Sequence, residues 1–147
     1  MVWSKNWHFF FLDKKASLGI LFFPALLPVI VKCKKKNYEV YFASAKEIPN
    51  LLQEIGRLRE VTFRDIGEGT NKSIDLDKFD KYYHHLILWD SSTNMLVGAY
   101  RMGLGKQIYK KYGIAGFYIH TLFRFEPELY SMMENTIEMG RAFIIKE

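Results

Sequence analysis

From residue 38 onward, apolar and polar positions fall into strand and helix periods in turn. Tyr38-Glu39-Val40-Tyr41-Phe42-Ala43 alternates and is rich in β-formers, which predicts a strand. Ser44 then stands where an N-cap belongs, ahead of Ile48, Leu51, Leu52, Ile55 and Leu58 at helical spacing. Pro49 fits only in the first turn of that helix. Residues 64–73, with Gly67 and Gly69, read as a loop. Residues 85–89 and 95–101 form two strands around a turn at 90–94, a hairpin. Residues 106–112 predict a short helix ended by Gly113. Residues 117–125 read as a strand, Glu126-Pro127 opens a short helix running to Met133, and residues 137–145 form a last apolar strand. No covering helix follows that strand, so the chain reads as cut at its C-terminus.

Composition fits one globular domain, with 147 residues, 49% hydrophobic and 25% charged. Aromatic residues, at 16%, suffice for a sizeable core or an apolar ligand surface. The lone cysteine, Cys33, excludes an intramolecular disulfide and a cysteine-based zinc cluster. The net charge of +5 is unevenly placed. Residues 1–37 carry seven lysines against Asp13 alone, whereas residues 38–147 sum to −1. A basic groove across the fold is not expected, and neither is a nucleic-acid partner.

Residues 1–37 therefore stand apart from a unit at 38–147. An apolar run of 14 residues at 18–31 lies between Lys14-Lys15 and the lysines Lys32, Lys34, Lys35 and Lys36. It is shorter than the roughly 20 residues of a membrane span and is interrupted by Pro24 and Pro28. No small-residue cleavage site follows, and Lys32 before Cys33 argues against a lipoprotein site. Trp3, Trp7 and Phe9-Phe10-Phe11 beside lysines suit a membrane interface. Two readings stand for this segment. One is an interfacial element giving a cytoplasmic protein peripheral contact with the inner membrane face; the other is a remnant of a different segment.

Charges inside the apolar elements are the candidate chemistry. Asp75-Leu76-Asp77-Lys78-Phe79-Asp80 places three carboxylates within six residues. It lacks the Gly and the bidentate Glu of a calcium loop, so a solvated turn is the plain alternative to a site. Glu138 and Arg141 sit three apart in the last strand, on opposite faces if that strand is regular. Buried charges are costly unless paired or used, so a salt bridge and a catalytic role both stand. Arg101 likewise interrupts a strand and requires an acidic partner, and Arg59 and Phe63 lie one helical turn apart. Gly103-Leu104-Gly105-Lys106 lacks the first glycine and the Ser/Thr of a phosphate loop. His84, His85 and His120 have no ligand spacing, and no metal site is expected.

Taken in order, Arg59-x-x-x-Phe63, Asp75-x-Asp77-x-x-Asp80, Gly98-x-Tyr100-Arg101 and Glu138-x-x-Arg141 carry a family resemblance. The pattern resembles the acyl-carrier-dependent branch of the GNAT superfamily, ornithine-lipid N-acyltransferases and acyl-homoserine-lactone synthases. Gly56 to Arg64, followed by Gly67-Glu68-Gly69-Thr70, is most similar to the GNAT-like part of bacterial proteins called hemolysins. The resemblance spans roughly residues 38–147. It implies an α/β (α+β) fold with a mixed, mostly antiparallel sheet flanked by helices, here a partial domain.

The resemblance further implies a transferase of lipid biosynthesis. A fatty acyl group would pass from an acyl-carrier-protein or CoA thioester to an amine or lipid acceptor, with no bound cofactor. By that analogy Arg59, Phe63, Asp75, Asp77 and Asp80 shape the amine pocket, and Arg101 braces the carboxylates. Glu138 is similar to a general base, and Arg141 to a residue ordering the central strands. The donor's phosphopantetheine would sit on the loop and helix after the strand of Glu138 and Arg141. That segment would begin past Glu147, so the chain alone is expected to be inactive. A non-catalytic membrane-associated or interaction domain with a degenerate acyltransferase fold is the alternative.

Overall fold

A polar two-residue turn makes the first hairpin. In this computed structural model, which describes residues 30–146, β1 (Ile30–Lys35) passes through Lys36 and Asn37 into β2 (Tyr38–Ser44). Lys36 holds left-handed backbone at φ 58°. The Asn37 amide donates to the Asp90 carboxylate at 2.7 Å, tying this turn to the next hairpin. β1 lies within the stretch that composition sets apart, and it joins the sheet as an edge strand paired antiparallel to β2. Lys34 and Lys35 are exposed there, and charge on an edge opposes pairing with another chain. The interfacial reading of Trp3, Trp7 and the apolar run falls almost wholly outside the described residues. Among the described residues no helix is long and apolar enough to cross a membrane.

The first helix, α1 (Pro49–Asp65), starts later than Ser44 suggests. Ile48 occupies the N-cap without a side-chain hydrogen bond, and Pro49 opens the first turn. Ser44 instead ends β2, where its N–H and hydroxyl both donate to Glu47. α1 buries Leu52, Ile55, Gly56, Arg59 and Glu60. Ile48 and Ile55 pack with Ala43, Ile87, Trp89, Leu96, Ala99 and Phe143 as the main core. Beyond residues 66–83 come β3 (His84–Asp90) and β4 (Met95–Leu104), the expected hairpin. α2 (Gly105–Tyr112) follows and ends at Gly113, φ 62°.

Residues 117–125 do not form the strand expected from the sequence. They contain a 3₁₀ turn at Ile119–Thr121, and Phe117 is fully buried in a second, largely aromatic core with Phe79, Tyr83, Ile108 and Met133. Packing into this cluster, and not a pleated surface, accounts for the aromatic residues of the segment. α3 is a single turn (Tyr130–Met133) preceded by a 3₁₀ turn at Pro127–Leu129. The last strand, β5 (Ile137–Ile144), completes a sheet of order β1-β2-β3-β4-β5, antiparallel at every pairing.

β5 is not regular. Ala99 pairs with Phe143 and Arg101 with Gly140, so Tyr100 alone faces both Arg141 and Ala142. That is a β-bulge, and Arg141 takes a φ of 55° within it. The bulge breaks the period-2 rule, and Glu138 and Arg141 open onto the same cleft instead of opposite faces.

Candidate active site

Arg59 is among the most deeply buried charges of the described residues. It sits on the buried face of α1, and its position one turn from Ile55 is what pulls it into the core. Its Nε donates to Asp75 at 2.9 Å, and its two terminal nitrogens donate to Asp80 at 3.1 and 3.0 Å. A further bond runs to the Asp75 carbonyl. Gly56 permits this approach. A Cβ there would lie 2.6 Å from the Ile74 side chain, and the Asp75 N–H donates to the Gly56 carbonyl at 3.0 Å.

Arg101 and Arg141 close the network from the sheet. Arg101 Nη1 donates to both Asp77 oxygens at 2.9 Å and to Asp80 at 3.2 Å. Arg141 Nη1 donates to Asp75 at 2.9 Å. Three arginines thus meet three aspartates, balanced in formal charge. Burial pushes the Asp80 carboxyl up, but the hydrogen bonds and charge of Arg59, with Arg101 beside it, outweigh this and hold it below its usual range. The guanidinium of Arg101 also lies 5.0 Å from the Tyr118 ring and 5.2 Å from that of Tyr83.

Glu138 belongs to the same region but to a different set of contacts. Its carboxylate accepts from the Tyr83 hydroxyl, from Tyr118 N–H at 3.1 Å and from Ile119 N–H at 2.7 Å. Those two backbone donors are available because residues 117–121 turn instead of pairing in a sheet. Burial, and then the bond to Glu138, raise the Tyr83 phenol, so it remains a protonated donor. Glu138 and Arg141 open onto a cleft of about 380 Å³ together with Arg101, Glu68 and Phe63. Leu122 and Phe123, about 60% exposed, give the same cleft an apolar lip. The loop carrying Glu68 is clasped by buried Glu60, which accepts from Thr70 and Asn71 backbone N–H groups at 2.9 Å. The Thr70 hydroxyl, with Arg64 beside it, holds the Glu60 carboxyl down to about 2.

Of the residues that the sequence singles out, Arg59, Asp75, Asp77, Asp80, Arg101 and Arg141 converge in one ion network. Glu138, Arg101, Arg141 and Phe63 line the cleft. Asp75, Asp77 and Asp80 do not; they stand behind the arginines, and their oxygens are taken by guanidinium and backbone donors. Sequence reasoning missed Tyr83, Tyr118 and Ile119. The adjacent Tyr82-Tyr83 was the one local sign of the first, and the misread strand at 117–125 hid the other two.

Residues 58–147 match the acetyltransferase (GNAT) domain. The chain belongs to the GNAT acetyltransferase family. This GNAT chain is also 34% identical over 118 residues to glycine N(alpha)-acyltransferases of Phocaeicola vulgatus and Bacteroides thetaiotaomicron. Both alignments cover 77% of the chain, but 36% and 35% of the respective relatives. The GNAT chain therefore spans about a third of the length of the curated relatives it matches. No solved structure matches it.

Proposed function

We propose that this GNAT unit serves N-acylation of a small amine-bearing acceptor, glycine being the acceptor in the names of its relatives. The fatty acyl group would come from a CoA or acyl-carrier-protein thioester, and the product would be an N-acyl amino acid of the kind found in lipid synthesis. The observation carrying this reading is the cleft in which a fixed carboxylate, Glu138, stands beside an apolar lip. A protonated amine binds against Glu138 and loses its proton toward that carboxylate or through a water. The freed nitrogen attacks the thioester carbonyl carbon; a C–N bond forms, the C–S bond breaks, and the sulfur leaves to take up a proton. The bulge at Arg141 leaves part of β5 outside the ladder, which supports backbone polarisation of the carbonyl oxygen. Leu122, Phe123 and Met139 suit the apolar start of the acyl chain.

In this reading the aspartates act on the acceptor indirectly, by holding Arg101 and Arg141. Incubating a protein that carries this unit at the length of its relatives with long-chain acyl-CoA, or with acyl-carrier-protein thioester, and isotope-labelled glycine tests the function. Mass spectrometry should find labelled N-acylglycine with one donor class; unmodified glycine with both would overturn the reading.

A further inference from the structure

The cleft holds a cation as well as a carboxylate, and that cation has a use that rests on the N-acylation reading above. We propose that Arg141 recognises the carboxylate of the acceptor, so that the cleft selects an α-amino acid over a simple amine. Three observations carry this. First, the three arginines differ in exposure. The side chains of Arg59 and Arg101 are 1% and 2% exposed, whereas that of Arg141 is 22% exposed. Second, Arg141 keeps donors in hand. Only its Nη1 makes a hydrogen bond among the described residues, to Asp75, while Nη2 lies 3.9 Å from Asp77, beyond bonding distance. A guanidinium with free N–H groups is suited to grip a carboxylate through two parallel bonds.

Third, Arg141 holds left-handed backbone at φ 55°, a conformation unfavourable for a side chain of its size. The same bulge brings Arg141 to the side of Glu138. A regular strand would avoid the strain and would send the two charges to opposite faces. A zwitterion, with its ammonium toward Glu138 and its carboxylate toward Arg141, engages both groups; a bare amine makes no use of the Arg141 N–H groups that Asp75 leaves unbonded.

The test is equilibrium binding to the 147-residue chain, followed by backbone amide NMR shifts of Tyr118, Ile119 and Gly140, with glycine compared against glycinamide. Glycine should bind at least about tenfold more tightly, as expected for one charge-assisted pair. Arg141→Asn, which tolerates left-handed backbone but has no cation, should bring the two ligands within about twofold. Arg141→Lys, which keeps the charge without the fork, should fall between them.

Equal affinities in the wild type, shifts with neither ligand, or an unchanged ratio in a natively folded Arg141→Asn protein would each overturn the proposal. If Arg141→Asn does not fold, the wild-type comparison and Arg141→Lys decide. A carboxylate preference in the chain, with no acylation by a protein that carries this unit at the length of its relatives, leaves the Arg141 site standing and removes the acyl-transfer reading. Acylation of glycine and glycinamide at equal rates does the reverse.

Discussion

Asp80 shows how one side chain sets the site. It is 1% exposed, and its oxygens serve Arg59 and Arg101 together, which also makes it the joint between α1 and β4. Asp80→Ala leaves two guanidinium groups short of a partner in the interior. Removing one member of a buried ion cluster costs about 3–5 kcal/mol, so the urea midpoint should fall by that equivalent. A loss below about 1 kcal/mol, the worth of an exposed pair, would mean the network is solvated. The charges of this cluster were legible in the sequence, because Arg59, Arg101 and Arg141 stand in apolar elements and must find carboxylates. Tyr83 was not legible. Its role depends on meeting Glu138, 55 residues away, and a tyrosine in a strand-rich region is ordinary.

Among the elements, α1 and the 74–76 loop approach so closely that only glycine fits at position 56. On an exposed helix, Gly56→Ala would gain about 1 kcal/mol. Here the new methyl would meet Ile74 at 2.6 Å and Leu76 at 2.7 Å, and overpacking of this kind costs about 1–3 kcal/mol. The variant should therefore melt lower than the wild type, and a higher melting temperature would contradict the close-approach account. The β2, β3 and β4 strands were legible, since Ala43, Ile87 and Leu96 face a helix across one sheet and alternate with less buried neighbours. The bulge in β5 was not, because nothing in Gly140-Arg141-Ala142 announces a left-handed arginine. Residues 117–125 misled for a related reason: a run rich in aromatic and β-branched residues suits a strand, and this one turns instead and packs Phe117 among aromatic rings.

Across the whole molecule, acidity and catalysis give separate readouts. His85 is fully buried, and burial, despite the pull of Asp80, drives its pKa from 6.5 down to about 4. The unfolded chain binds this proton first, so stability is complete above pH 6.5 and falls as the pH drops toward about 4. The loss should be on the order of 3 kcal/mol, with His84 adding in the same direction. Urea titrations between pH 7 and 5 should show that slope, and His85→Leu should flatten most of it; the carboxylates Glu60, Asp80 and Asp90 enter only at lower pH. The central claim is that Glu138 acts on the acceptor's proton in a folded cleft. Its most direct test is the acyl-transfer rate of Glu138→Gln in a protein that carries this unit at the length of its relatives, measured beside a thermal melt. The rate should fall by about 10²–10⁴-fold, the usual worth of general acid–base catalysis, while the protein stays folded and loses only the roughly 1–3 kcal/mol of a donor left unpaired by the Gln amide. An unchanged rate, or a loss matched by unfolding, would contradict the account.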